Sequence, residues 1–258
     1  MFRPTNYPLL VLLVTFIFMW LSIWAGMYLR VRWNGDAAEI RDDFAVILGA
    51  ALTLLGLIIG FTFSMATTRY DLRKNLEEEE ANAIGTEYVR VDLLPADAAT
   101  KARSLLLHYT DLRIQFYKTR SPDDLKKINA ETSDAQNQLW ATVAAPAKAQ
   151  PTTNTLLAVS GMNDVLNSQG YTQAAWWNRI PRAAWYLMFA ISVVSHVLLG
   201  YGAHGKSTFL SMILPLLVGI SFALIADIDS PRGGVIRVQP QNIQALRDGF
   251  ALPEPVSH

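Results

Sequence analysis

Four long apolar stretches, separated by polar segments, dominate the pattern of the chain. They contain no Asp, Glu, Lys or Arg and cover residues 8–29, 44–66, 183–201 and 208–226. A helix needs about 20 apolar residues to cross the ~30 Å hydrocarbon core of a bilayer, and each stretch is close to that length. The pattern therefore predicts four transmembrane helices. The first stretch is longer than the apolar part of a signal peptide and no cleavage site follows it, so we expect it to stay in the protein.

A long polar insert, residues 67–182, lies between the second and third apolar stretches. Its apolar residues recur at helical spacing, and no convincing two-residue alternation of the kind found in strands interrupts them. Prolines divide it into predicted helices at 67–94, which continues the second apolar stretch, 97–119, 121–146 and 151–170. The predicted fold class is all-α: an integral membrane protein with four transmembrane helices and a helical cytoplasmic domain inserted between helices 2 and 3.

Basic residues near the ends of the apolar stretches predict the orientation. The side shared by the N-terminus, the insert and the C-terminal tail carries more of them than the opposite side, which has Arg30, Arg32, Arg41 and Lys206. Under the positive-inside rule, both termini and the insert lie in the cytoplasm. The predicted division is 1–66 (transmembrane helices 1 and 2), 67–182 (cytoplasmic helical domain), 183–227 (transmembrane helices 3 and 4) and 228–258 (cytoplasmic C-terminal tail).

Composition narrows the classes of partner and chemistry. Hydrophobic residues make up 51% of the chain and charged residues 17%, which fits a membrane protein better than a soluble enzyme. The 22 basic and 22 acidic residues cancel, so no overall positive field favours nucleic acid. The chain has no cysteine, which excludes disulfides, a thiolate nucleophile and cysteine-ligated metal centres.

Two motifs with enzymatic associations have simpler interpretations. The run 200–207 matches a phosphate-binding loop, but a membrane helix precedes it where that motif needs a strand, so we interpret it as a turn and expect no nucleotide. His196 is the one ionisable side chain inside an apolar stretch, and we interpret it as a neutral imidazole bonded to Ser192, with a functional role as the alternative. An intramembrane hydrolase using Ser192 or Ser195 is disfavoured, because helix neighbours face different ways. We therefore expect no enzymatic activity.

The second apolar stretch carries a face of small residues. Gly49, Gly56 and Gly60 lie on this face, and the GxxxG spacing of the last two predicts close helix packing. Leu57 and Phe61 lie beside it, one turn apart, where apolar side chains could constrict a pore in an oligomer. One helix does not decide between lipid, a partner helix and a pore.

Two acidic groups follow the second and fourth stretches. Four consecutive glutamates cover every side of a helix, so at least one should face protein and need a cationic partner such as Arg90 or Arg113. Together with two later aspartates they form a candidate cation site, for which Ca²⁺ would be the ion, although EF-hand spacing is absent. The residues are Glu77, Glu78, Glu79, Glu80, Asp227 and Asp229. We predict no other cofactor.

Three segments carry a resemblance to a known family: Gly60 to Tyr70, Glu80 to Pro95 and Asp227 to Gly233. They resemble a bacterial bestrophin-like family of unknown function, and the resemblance spans nearly the whole chain. A more distant similarity links span two to bestrophins, which are pentameric anion channels with four membrane helices per subunit and cytoplasmic termini.

Carried over to this chain, the resemblance implies an apolar neck at Thr53, Leu57 and Phe61. Here a hydroxyl and a leucine stand where large apolar rings are common. The acidic run 77–80 would repel chloride, which argues against anion selectivity.

These observations predict a bestrophin-like oligomeric ion channel in a bacterial inner membrane, multi-pass, with its pore lined by transmembrane helix 2 and its ion selectivity open. The expected partners are the lipid bilayer, inorganic ions and further copies of the chain, five in all if the resemblance extends to assembly. The alternative is a non-conducting membrane scaffold or sensor whose cytoplasmic helices bind a protein partner.

Before the third stretch, Trp176 and Trp177 are predicted to anchor the chain at the membrane surface.

Overall fold

The computed structural model of the protein describes residues 4–32, 41–203 and 208–250. Within these ranges the secondary structure is helical and contains no strand, which confirms the predicted all-α class. Short 3₁₀ turns occupy Pro4–Asn6 and Val91–Leu93. The α-helices are α1 (Pro8–Arg32), α2 (Arg41–Arg90), α3 (Ala96–Lys118), α4 (Pro122–Ala149), α5 (Thr153–Trp177), α6 (Arg182–Gly202), α7 (Thr208–Asp229) and α8 (Gln241–Gly249).

The four apolar stretches lie in α1, α2, α6 and α7. Among the residues described, four helical segments are long and apolar enough to cross a membrane, which supports a multi-pass membrane protein. With 50 residues, α2 is about 75 Å long, more than twice the ~30 Å hydrocarbon core, and it continues past the second stretch as expected. Some of the basic residues near the ends of the apolar stretches, Arg3 and Lys206, lie outside the described residues, as do positions 204–207 of the predicted turn. The structure does not test the orientation, which stays a prediction from charge.

Three predicted helix ends differ from those observed. The helix predicted to reach residue 94 is α2, which ends at Arg90 and is followed by the 3₁₀ turn Val91–Leu93. α4 passes Pro146 and ends at Ala149. A proline in the last turn removes only one backbone hydrogen bond, and the helix can continue because the Gln150 N–H still donates to the Pro146 carbonyl at 2.8 Å. α5 passes Gly170 and ends at Trp177. Burial of Thr172 and Trp176 offsets the ~1 kcal/mol penalty of a helical glycine.

Trp176 corrects a second expectation. It is 4% exposed, and its ring packs on Phe116 and Tyr117 with centroid separations of 4.9 and 5.4 Å. It therefore belongs to a protein core, whereas Trp177 is 73% exposed and its role as an interfacial anchor stays a prediction.

The chain forms two compact units, and the division falls within α2. The apolar unit comprises the described residues of 1–70 and 179–237. In it, α1 packs on both α6 and α7. Its core consists of Met19, Leu55, Ala66, Ile180, Met188, Val218, Phe222, Ile225 and Ile228.

Two glycines bring α1 and α6 into close contact. A Cβ on Gly26 would overlap the carbonyl oxygen of Val197, and a Cβ on Gly200 would overlap that of Ile23. Small residues let membrane helices approach closely, so van der Waals contact between backbones holds this pair together.

The polar unit comprises the described residues of 71–178 and 238–258. Its core joins α2, α3, α4 and α5 through one apolar cluster, to which α3 contributes residues at helical spacing. The cluster contains Ile84, Val91, Leu94, Ala99, Ala102, Leu106, Tyr109, Leu112, Ala135, Leu139, Val143, Ala158, Met162 and Val165.

Replacing Gly200 by alanine should destabilise the apolar unit by about 1–3 kcal/mol, because a methyl group has no space against the Ile23 backbone. Thermal unfolding in detergent measures the change. Gly170→Ala is the control: nothing lies within 4 Å of the added methyl, so it should be neutral or stabilising. Equal destabilisation by both substitutions would contradict this account of the α1–α6 contact.

Candidate functional site

The apolar part of α2 leaves the predicted neck residues uncovered. Leu57 is 52% exposed and Phe61 59% exposed, and Thr53 one turn earlier is exposed too. Of the most apolar window of α2, 6% is buried, against 50% for the corresponding window of α7. Since the packing of this chain covers so little of this window, most of the apolar part of α2 is available to lipid, to solvent or to another copy.

The glycine face of α2 is open as well. Among the described residues, no atom beyond the helix itself lies within 4 Å of a Cβ built on Gly49, Gly56 or Gly60. At Gly26 and Gly200, by contrast, the backbone of a neighbouring helix occupies the space that a Cβ would take. The helix packing predicted for the three α2 glycines is therefore not made by the described residues of the same chain.

The acidic run on α2 divides between core and surface. Glu78 and Glu79 are exposed, whereas Glu77 and Glu80 are buried. Arg113 of α3, also fully buried, forms an ion pair with Glu80, which is the partnership that the sequence required.

The Glu80 carboxylate of this ion pair accepts hydrogen bonds from two hydroxyl groups in addition to Arg113. The Tyr117 hydroxyl and the Thr172 hydroxyl donate to Glu80 Oε2 at 3.2 and 3.1 Å. The Arg113 guanidinium lies over the Phe116 ring, 4.3 Å from its centroid. Burial alone would lower the pKa of Arg113, but the Glu80 carboxylate raises it, so the guanidinium stays charged.

Glu77 caps the N-terminus of α8. Its Oε1 accepts hydrogen bonds from the backbone N–H groups of Asn242 and Ile243, each at 3.0 Å. Its Oε2 accepts a hydrogen bond from Asn242 Nδ2 at 2.7 Å. Burial raises the pKa of Glu77, and the hydrogen bonds to α8 oppose that rise. A carboxylate at this position satisfies free N–H groups and complements the helix dipole.

Further contacts attach α8 to the same unit. Arg247 binds Asp111 through two hydrogen bonds of 2.8 and 3.2 Å, and this partner raises the pKa of Arg247. Phe250, just after the helix, stacks on Tyr88 with a centroid separation of 3.9 Å. The predicted C-terminal tail thus contains a helix, α8, which packs on the polar unit.

The two aspartates of α7 hold backbone segments in place. Asp227 accepts the N–H groups of Val235 and Ile236 at 2.7 and 2.9 Å, and Asp229 accepts that of Ile180 at 3.0 Å. Sequence reasoning treated both residues as candidate cation ligands and missed this role. The Gly-Gly pair that follows could have indicated it, because a Cβ on Gly234 would overlap Asp227 Oδ1.

The candidate cation site has no metal-binding geometry among the residues described. No three or more His, Asp or Glu side chains come together as ligands there. Glu77, Glu80, Asp227 and Asp229 each accept hydrogen bonds from protein donors. In this arrangement they stabilise the fold.

His196 is buried and has the local partner expected of a neutral imidazole. Its Nδ1 lies 2.7 Å from the carbonyl oxygen of Ser192, so the bond is made to the backbone rather than to the serine hydroxyl.

The structure also shows a buried acid that the sequence did not single out. Glu87 is 0% exposed, on the α2 face that carries Ile84 and Val91, and this helical spacing was the available signal.

The fold and the exposed α2 face define an all-α, multi-pass membrane protein. Residues 14–243 match the family model described as a bestrophin-like domain, and the chain belongs to the bestrophin-like family. No curated protein matches the chain.

Solved structures show the same fold. A bacterial bestrophin homolog from Klebsiella pneumoniae, phased by Zn-SAD, shares 15% identity over 94% of this chain and 95% of its own, with a TM-score of 0.61. Two single-residue variants of the bestrophin homolog from that organism give 17% identity over 94% and 97% (TM-score 0.63) and 16% over 97% and 98% (TM-score 0.64).

Removing one member of the buried ion pair should destabilise the polar unit strongly. We expect Arg113→Met to cost about 3–5 kcal/mol, because it leaves the Glu80 carboxylate buried without its cation. Arg103→Met is the control, since the Arg103–Asp92 pair is exposed and should cost under about 1 kcal/mol. Urea unfolding measures both changes. Adding Glu80→Gln to Arg113→Met should restore part of the loss, and a further loss instead would refute the charge argument.

Glu77→Ala should release the start of α8. Loss of its hydrogen bonds is expected to cost about 1–2 kcal/mol, which corresponds to roughly 5- to 30-fold faster amide exchange in α8. Hydrogen exchange with mass spectrometry measures the effect on residues 241–249. Glu78→Ala, an exposed neighbour in the same run, should leave the rate unchanged, and similar rates for both variants would count against the cap.

Proposed function

We propose that this protein is a homo-oligomeric ion channel of a bacterial inner membrane, with α2 of each copy lining the pore. The observation that carries the proposal is the exposed apolar face of α2, which its own chain leaves almost uncovered. A pore-lining helix has this property, because its pore side is completed only by other copies. Membership of the bestrophin-like family supports the same proposal.

The constriction in this proposal is formed by Thr53, Leu57 and Phe61. These residues follow one another at four-residue intervals, so they lie along one line of the helix. Rings of apolar side chains can close a pore by excluding water. Gly56 and Gly60 have no side chain to keep a second helix away, which favours close approach of α2 helices from neighbouring copies.

The proposed organisation follows the sequence prediction. Residues 67–182 form a cytoplasmic domain, and both termini lie in the cytoplasm, as the positive-inside rule indicates. Two of the four glutamates in the run 77–80 are buried, one paired with Arg113 and one bound to α8. Only Glu78 and Glu79 then act on ions from the surface, so the case against anions is weaker than the sequence suggests.

A second candidate is a non-conducting scaffold or sensor. It is favoured by large apolar side chains exposed on α5 of the polar unit: Leu156 is 55% exposed, Leu157 45% and Tyr171 62%. Such residues could contact a protein partner. An image of the detergent-solubilised protein separates the candidates, because a monomer, or a dimer without a central axis, leaves no place for a pore.

Planar-bilayer recording of the purified protein tests the channel directly. Phe61→Ala should raise single-channel conductance several-fold, because it removes the largest ring from the proposed constriction. Phe63→Ala is the matched control, since Phe63 is 40% exposed but lies two positions on, on the opposite side of the helix. Absence of current in every salt, or a conductance indifferent to Phe61→Ala, would overturn the proposal. Reversal potentials in salt gradients identify the ion.

A further inference from the structure

Glu87 is a fully buried acid without a hydrogen-bond partner. Its side chain is 0% exposed, and neither carboxyl oxygen has a partner among the residues described. The other two buried glutamates of α2 are satisfied: Glu80 by Arg113 and two hydroxyls, Glu77 by the N-terminus of α8. Glu87 is the exception on the same helix.

The carboxyl group of Glu87 occupies the place of a side chain on α5. A Cβ on Gly161 would overlap Glu87 Oε2 and would lie 2.7 Å from Arg90 Nη1. The glycine therefore creates the space that admits the acid between α2 and α5. Val165 of α5 and Ile84 of α2, both fully buried, belong to the apolar cluster of this unit.

Two charged groups act on Glu87, one from each helix. Arg90 lies one turn further along α2, and Asp164 lies one turn beyond Gly161 on α5. Arg90 Nη1 lies 3.9 Å from Asp164 Oδ2, so the cation is shared with a second carboxylate. Arg90 is partly exposed as well, and its charge is therefore partly screened by solvent.

A carboxylate is far more costly in such a site than a neutral carboxyl group. Burial raises the pKa of Glu87 from the ordinary 4.5 to about 8, with Arg90 opposing the rise and Asp164 adding to it. Between these two values the folded chain holds a proton that the unfolded chain has released. The stability contributed by this proton is complete below pH 4.5 and is lost as the pH rises through about 8.

We propose that Glu87 is a proton-binding site through which the packing of α2 on α5 responds to pH. With its proton, the carboxyl group fills the space above Gly161 as a neutral group. Without it, an unpaired carboxylate lies between the two helices and favours their separation or the entry of water. This inference concerns the polar unit alone and does not depend on conduction.

The central experiment compares Glu87→Gln with the wild type and with Glu79→Gln. Glutamine keeps the shape and cannot ionise, whereas Glu79 is an exposed glutamate two turns earlier on the same helix, so its removal matches the change in charge. Thermal unfolding of the full-length protein in detergent is followed from pH 5 to pH 9. The wild type and Glu79→Gln should lose stability as the pH rises, and Glu87→Gln should lose at most half as much. Parallel pH profiles for all three proteins would overturn the proposal.

Infrared spectroscopy of the wild type gives a reading that does not require a variant to fold. A protonated carboxyl group has a carbonyl stretching band that a carboxylate lacks. We expect such a band at pH 6 that disappears with a midpoint near pH 8. Absence of the band at pH 6 would overturn the proposal.

A paired substitution tests the geometry. Gly161→Ala alone should lower the unfolding temperature, because the methyl group overlaps the carboxyl group, and it should do so less in a Glu87→Ala background, where the space is free. Equal effects of Gly161→Ala in both backgrounds would show that the carboxyl group does not occupy this space and would overturn the proposal.

Discussion

The Glu80 carboxylate lies in the interior of the polar unit, and an ionised group in that position requires a charge and hydrogen bonds to compensate the loss of water. Arg113 supplies the charge from α3, and Tyr117 and Thr172 supply hydroxyl groups from α3 and α5. Three helices must therefore have one rotation and one register for the group to be satisfied. The ion pair thus constrains how these helices pack, while the loss of hydration offsets much of what the attraction contributes to stability.

The other buried acids of α2 are compensated in different ways. Glu77 lies where α8 begins, and the free N–H groups of that helix take the place of water. Glu87 has no such donor, and the least costly state available to it is the neutral acid. One helix face thus carries an ion pair, a helix cap and a protonated carboxyl group at positions 80, 77 and 87. The first two are bound by protein donors, and the third has none among the residues described.

In the apolar unit, packing rather than polar pairing determines which surfaces are buried. Gly26 and Gly200 bring the backbones of α1 and α6 into contact, and α7 packs on α1 as well. α2 contributes Leu55, Thr62 and Ala66 to the interior and leaves its glycines and its neck residues outside. The two groups of glycines look alike in sequence. What distinguishes them is whether a neighbouring backbone occupies the space that a side chain would take, and that is the basis for the proposal that the α2 face contacts other copies.

The sequence by itself determined the four apolar helices, the all-helical insert, the family and the need for a cation beside the acidic run. These conclusions rest on local properties: the length of an uncharged stretch, the period of the apolar residues, and the cost of burying a charge. Only the tertiary structure decided that Glu80 rather than Glu78 meets Arg113, that Trp176 lies in a core, and that α5 continues past Gly170. It also decided that Asp227 and Asp229 bind backbone and that Glu87 is buried without a partner. The reason is physical: whether a side chain is buried or solvated depends on residues distant in the chain, whose approach no local pattern encodes.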